Sequence, residues 1–188
     1  MTGIKRTRRG VVVSFDEVEA SLLRHLVGEV RDLLAEEESL PAPARSAASG
    51  LPTDAELAAL TGVGGGDRER PNDPALARLL PDGYRDDPGA AGEFRRLTEA
   101  SLRRDKVAAA ERLLASLPGD GPGEVRLDAE STERWLSTLN DVRLALGTRL
   151  EVTEEMAEPD PEDPDAPAYV VYLWLTELQG VLIEVADS

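Results

Sequence analysis

WLSTLNDVRLALGTRL, residues 135–150, reads as one amphipathic helix. Trp135, Leu139, Val142, Leu146 and Leu150 recur at steps of three and four and form a continuous stripe, with Leu136 beside it. Asn140, Arg143 and Gly147 form a second stripe at the same spacing. Asn140, Asp141 and Arg143 thus interrupt an apolar helix at its middle, as a reaction centre, a contact surface or the wet side of a core helix. Gly147 inside the helix costs up to about 1 kcal/mol relative to alanine. Close approach of another backbone, or the end of the helix, would account for it. A second apolar segment, YVVYLWLTELQGVLI at 169–183, carries its own Trp174 and Gly180. Two such helices packed near their glycines make the centre of a mainly α fold. Asn140 and Arg143 would then bond neighbouring carbonyls or a carboxylate, as buried polar groups require.

Working outward, residues 4–15 read as a strand or hairpin, with Val11, Val13 and Phe15 on one face and Gly10 at the turn. Asp16 caps a helix running to about Glu37, whose apolar positions are Val18, Leu22, Leu23, Leu26, Val27, Val30, Leu33 and Leu34. Mobile loops are expected at about 39–52, 62–74 and 157–167, from their proline, glycine and acidic content. A short helix follows Thr53, and another spans Pro74–Leu80. A long helical region covers about 90–117, with a break near Thr98 and an apolar side of Leu102, Ala109, Ala110, Leu113, Leu114 and Leu117. EVRL at 124–127 is a further short strand, and Asp128 caps the helix that holds the opening stretch. The expectation is one mainly α domain over 1–188, with a small N-terminal β element.

Composition bounds the chemistry. The chain has 188 residues, 41% of them hydrophobic, enough to bury a core. It has no cysteine and a single histidine, His25. Disulfides, thiol nucleophiles and cysteine-ligated metals are excluded, as are multi-histidine metal sites. A formal net charge of −16 repels phosphate backbones and anionic membranes, and suits a basic protein partner. The N-terminus lacks the apolar core of a signal peptide. The 169–183 segment holds Glu177 and Gln179 and reads as a buried helix of a cytoplasmic protein with no membrane span.

No cofactor or metal site is expected. GVGGGDRER at 62–70 lacks the Lys-Ser/Thr of a phosphate loop. Asp160, Glu162, Asp163 and Asp165 are interrupted by prolines and lack the glycine of a calcium loop. His25 sits on the polar flank of its helix, one turn from Glu29. No carboxylate pair stands apart in an apolar setting, so no catalytic residue is expected. Two basic patches remain as nucleic-acid candidates. One is an arm of Lys5, Arg6, Arg8 and Arg9. The other comprises Arg95, Arg96, Arg103 and Arg104, with Lys106 beside them. Solvated strand-edge and helix-face charge is the plainer reading of both.

The opening stretch, followed after an acidic loop by YVVYLWLTELQGVLI, resembles the paired C-terminal signature of an actinobacterial family, the AosR-type oxidative-stress regulators, formerly carried as a domain of unknown function. LTEASLRRDKVAAAERLLASLP resembles that family's middle helix, and the basic start with SFDEVEASLLRHLVGEVRDLL its N-terminal strand and helix. The matching signature positions are Trp135, Asn140, Asp141, Arg143, Leu144, Gly147, Trp174, Leu175 and Gln179. The resemblance implies a non-enzymatic cytoplasmic regulator of oxidative-stress and sulfur-assimilation genes, acting through contact with a sigma factor or RNA polymerase. It also implies redox sensing by a disulfide switch, from which this cysteine-free chain departs. Direct DNA binding through the basic patches, or a scaffold or dimerisation role, are the alternatives.

Overall fold

The computed structural model describes residues 3–35, 71–84, 87–119, 121–153 and 162–187. The expected loop at 39–52 and the helix after Thr53 lie outside these residues, as do 62–70 and 157–161 of the other two loops. The described chain is mainly α, with five helices and one three-stranded antiparallel sheet.

Strands β1 (Gly3–Thr7) and β2 (Gly10–Phe15) pair with Thr7 opposite Gly10. Arg8 and Arg9 form the turn. Gly10, at φ 122°, returns the chain to the strand, and a Cβ there would collide with the Leu127 carbonyl oxygen. Strand β3 (Gly123–Leu127) joins the other edge of β2, with Val11 opposite Leu127 and Phe15 opposite Gly123. Val11, Val13, Phe15, Val125 and Leu127 are buried. Val12 is buried as well, with Lys5 and Arg126 as its register partners on either side.

Helix α1 (Glu17–Ala35) starts at a capping box. The Glu19 N–H donates to Asp16 Oδ1 at 2.9 Å, and the Asp16 N–H donates to Glu19 Oε2 at 3.0 Å. The Glu19 amide bond holds the Asp16 carboxyl below its ordinary pKa. Val18 does not join the core stripe as expected and is 74% exposed; Ala20 begins the buried face. Helix α2 (Pro74–Leu79) is capped by Asp73, and α3 (Pro88–Ser116) by Asp87. The break expected near Thr98 is absent. The Thr98 hydroxyl donates to the Phe94 carbonyl, and Ser101 to that of Thr98, so both stay inside one continuous helix. Helix α4 (Ala129–Arg149) is capped by Asp128, and α5 spans Ala166–Asp187.

Helix α4 is central. It contacts α1, α2, α3, α5 and the strands β2 and β3, while α1 lies along α3. Trp135 packs on Phe15 with ring centroids 6.0 Å apart, joining helix to sheet. The glycine expectation is half met. A Cβ on Gly147 would lie 3.0 Å from the Tyr172 ring, so what comes close there is a side chain of α5 and not the backbone expected. Gly180 has nothing within 4 Å of such a position and faces outward. Nor is α5 wholly buried. Leu175, Leu178, Gln179 and Leu182 face inward, while Val170, Leu173 and Ile183 are exposed. By length and composition α5 is apolar enough to cross a membrane.

Candidate functional site

The N-terminal basic arm divides into structural and free residues. Lys5 Nζ pairs with Glu124 Oε1 of β3 at 3.2 Å. Arg6 Nη1 donates to the carbonyls of Val185, at 3.0 Å, and Ala186, clamping the last turn of α5. A cation there also complements the helix dipole. Arg8 and Arg9 stay at the exposed hairpin tip, in a cleft of about 560 Å³ that Arg126 and Asp128 share.

The second basic patch is not one surface. Positions 95, 99, 103, 106, 110 and 113 step by four, four, three, four and three along α3, so they share one face. That face is the inner one. Arg103 is 1% exposed; its Nη2 pairs with Glu99 Oε1 at 3.0 Å and its Nη1 donates to the Leu34 carbonyl at 2.9 Å. Arg95 is 9% exposed and forms an ion pair with Asp82 at 3.1 Å, without aligned hydrogen-bond geometry. Arg95 and Arg103 therefore cannot serve as a phosphate-facing surface, a correction to the sequence expectation. Arg104 is exposed, and Arg96 lies 4.0 Å from Glu93. Leu102, expected on the inner side, is 37% exposed because its neighbour Arg103 holds that place.

The signature residues gather at the contacts of α4. Trp135 is buried, and its indole N–H donates to Ser116 Oγ at 3.2 Å. Asp141 is buried and receives Lys106 Nζ at 2.6 and 2.8 Å, tying α4 to α3. Burial pushes its carboxyl pKa up, and Lys106 opposes that only in part. Asn140 and Arg143 are half-buried and bond each other, Arg143 Nη2 to Asn140 Oδ1 at 3.2 Å, rather than a separate carbonyl or carboxylate. Gln179 takes the carbonyl role, donating from Nε2 to the Leu136 oxygen at 3.2 Å. Leu175 is fully buried, Leu144 and Trp174 partly so against the core. What sequence reasoning missed is the Lys106–Asp141 tie. Its signal was a lone lysine in register with the buried face of α3.

Among the described residues no three His, Asp or Glu side chains converge. His25 is exposed at the rim of a cleft of about 160 Å³, with Glu29 and Arg149 nearby and Leu26, Val30 and Val142 in its wall.

The described chain is a set of helices closed by a three-stranded sheet, with Trp135, Asp141, Gly147 and Gln179 of its signature residues at contacts between elements. It belongs to the family described as Domain of unknown function (DUF2017), whose model matches residues 1–186. The chain is 37% identical over 179 residues to the oxidative stress regulator AosR of Mycobacterium tuberculosis (strain ATCC 25618 / H37Rv), and equally to that of Mycobacterium bovis. It matches the putative oxidative stress regulator AosR of Mycobacterium leprae to the same degree. Each alignment covers 88% of this chain and 77% of the relative. The family is thus that of the AosR-type regulators, as the two C-terminal motifs implied, and the relatives' names support a regulatory role. No solved structure matches the chain.

Proposed function

We propose that the protein is a non-enzymatic cytoplasmic regulator of oxidative-stress and sulfur-assimilation gene transcription, acting by contact with a sigma factor or RNA polymerase. Kinship with named oxidative stress regulators over most of the chain carries the regulatory reading. Geometry favours protein contact over DNA contact. Two of the eight candidate basic residues are interior, and Lys5 and Arg6 are engaged within the fold. Meanwhile α5 turns Val170, Leu173 and Ile183 outward, and its charged residues are Glu177, Glu184 and Asp187 alone. On that outer face Glu177 and Glu184 lie between Val170 and Leu173, and such a mixed apolar and acidic face suits a partner helix that carries apolar and basic residues, with complementary charge speeding and orienting the encounter. With no cysteine, the chain regulates without a thiol sensor of its own.

The test is affinity capture of the tagged protein from native lysate, with and without nuclease. A sigma factor or polymerase subunit should stay bound after nuclease treatment, and be lost from an L173E/I183E variant that keeps its fold. Loss of the transcription machinery with the DNA would reject the reading. Direct DNA binding is the second reading, favoured by the exposed Arg8 and Arg9 beside Arg126. It requires affinity to fall with salt at a slope of roughly −0.9 per phosphate contacted.

A further inference from the structure

A cleft of about 480 Å³ opens between α2, the C-terminal half of α4 and the start of α5. Arg78 reaches it from α2, Arg143 from α4, Glu151 and Thr153 from the segment after α4, and Tyr172 from α5. Arg143 is unusual among the inward-facing cations. Arg95, Arg103 and Lys106 each hold a carboxylate, and half-buried Arg24 holds the Pro118 and Gly119 carbonyls. Among the described residues half-buried Arg143 bonds only the neutral Asn140 amide, and its Nε is buried without a hydrogen-bond partner there. Among the described residues no carboxylate pairs with Arg143 or Arg78, on a chain with 37 acidic residues against 21 basic ones. A guanidinium only donates hydrogen bonds, and in a partly buried setting its natural complement is an oxyanion held by its fork.

The cleft wall carries a second mark. Helix α4 ends in a Schellman closure: the Val152 N–H donates to the Gly147 carbonyl at 2.9 Å and the Glu151 N–H to that of Thr148 at 3.3 Å. The residue that must turn left-handed is Glu151, at φ 51°, where glycine would be unstrained. This turn fixes the course of Glu151–Thr153 along the cleft. Among the described residues neither Glu151 nor any other carboxylate forms an ion pair with these two guanidiniums.

We propose that this cleft binds a small oxyanion, the phosphate, sulfate or carboxylate group of a ligand, clamped between Arg143 and Arg78. The bound group would tie α2 to α4 and border Tyr172 where α5 crosses Gly147. Glu151 at the rim repels it and limits its affinity.

The test titrates the protein with inorganic phosphate, sulfate and acetate, each against chloride at equal ionic strength. Backbone amide shifts of Thr148–Thr153 and the thermal midpoint are followed. At least one oxyanion should bind saturably. Binding should weaken ten-fold or more in R78Q, whose exposed position leaves the fold alone, and in R143K, which keeps the charge and loses the fork. E151Q should tighten it severalfold. Response to phosphate or sulfate alone identifies a tetrahedral ligand group, and response to acetate a carboxylate. A chloride response equal to the others, no saturation with any probe, or unchanged binding in R78Q and R143K would overturn the proposal.

Discussion

The two halves of α3 bury opposite chemistries along one face. From Ala110 to Leu117 the inner positions are alanine and leucine, packed in the main core. From Arg95 to Lys106 they are Arg95, Glu99, Arg103 and Lys106, while Phe94, Leu97 and Leu102 point outward. The helix keeps one direction and one periodicity throughout; only the polarity of its inner stripe reverses. A charged interior is tolerable where each charge finds a partner, and in this half the partners are Asp82, Glu99, the Leu34 carbonyl and Asp141. The apolar half holds the fold by burial. The charged half ties particular neighbours, the end of α1 and the middle of α4, in a defined register.

Breaking the charged half should have the largest effect. R103A leaves the buried Glu99 carboxylate without its guanidinium and should cost about 3–5 kcal/mol by urea denaturation. The double variant E99L/R103M should recover that loss or exceed wild type, because well-packed apolar residues often match a buried pair. A double variant as weak as R103A would show that the pair's outer bonds, and not its desolvated charge, hold this region. In the apolar half, L113A should cost about 2–5 kcal/mol by opening a cavity in the main core.

A smaller effect is expected at the tie between α3 and α4. Asp141 has a raised pKa in the folded protein, so the native state holds that proton more tightly than the unfolded chain. Its contribution to stability is fully present below the ordinary value of 3.8 and is lost as pH rises through the raised folded value. The stability of wild type relative to D141N, measured across that window, should therefore fall with pH. A rise would mean that Lys106 outweighs burial. The smallest effect should come from R104Q. Arg104 is the neighbour of Arg103 and faces solvent, so stability should stay within about 0.5 kcal/mol of wild type.

This contrast explains what the sequence could disclose. Period-two alternation in Val11, Val13 and Phe15, and period-three-and-four spacing in α1 and α4, expose their inner faces because apolar residues mark them. The same rule misplaced Leu102 outside-in and took Arg95 and Arg103 for surface, since periodicity assigns leucine to the interior and arginine to water. Val18 failed for a related reason: it lies in the first turn of α1, beyond the reach of the core. Of the signature positions, Trp135 and Gly147 were readable by size, one too large for the surface and one too small without a close neighbour. The Asn140–Arg143 bond joins two positions that the spacing already put on one stripe, whereas the Arg78–Arg143 cleft depends on where α2 docks, which no local pattern carries.

Arg6 gripping the last carbonyls of α5 has a further consequence, for the topology of the chain. It places β1 beside the final turn of a helix about 180 residues away in sequence. Strand β1 and the last turn of α5 are neighbours in space, so a covalent link engineered between them would close a loop around most of the described chain. Such a cross-linked chain would lose entropy chiefly when unfolded, and should melt at a higher temperature than its unlinked parent.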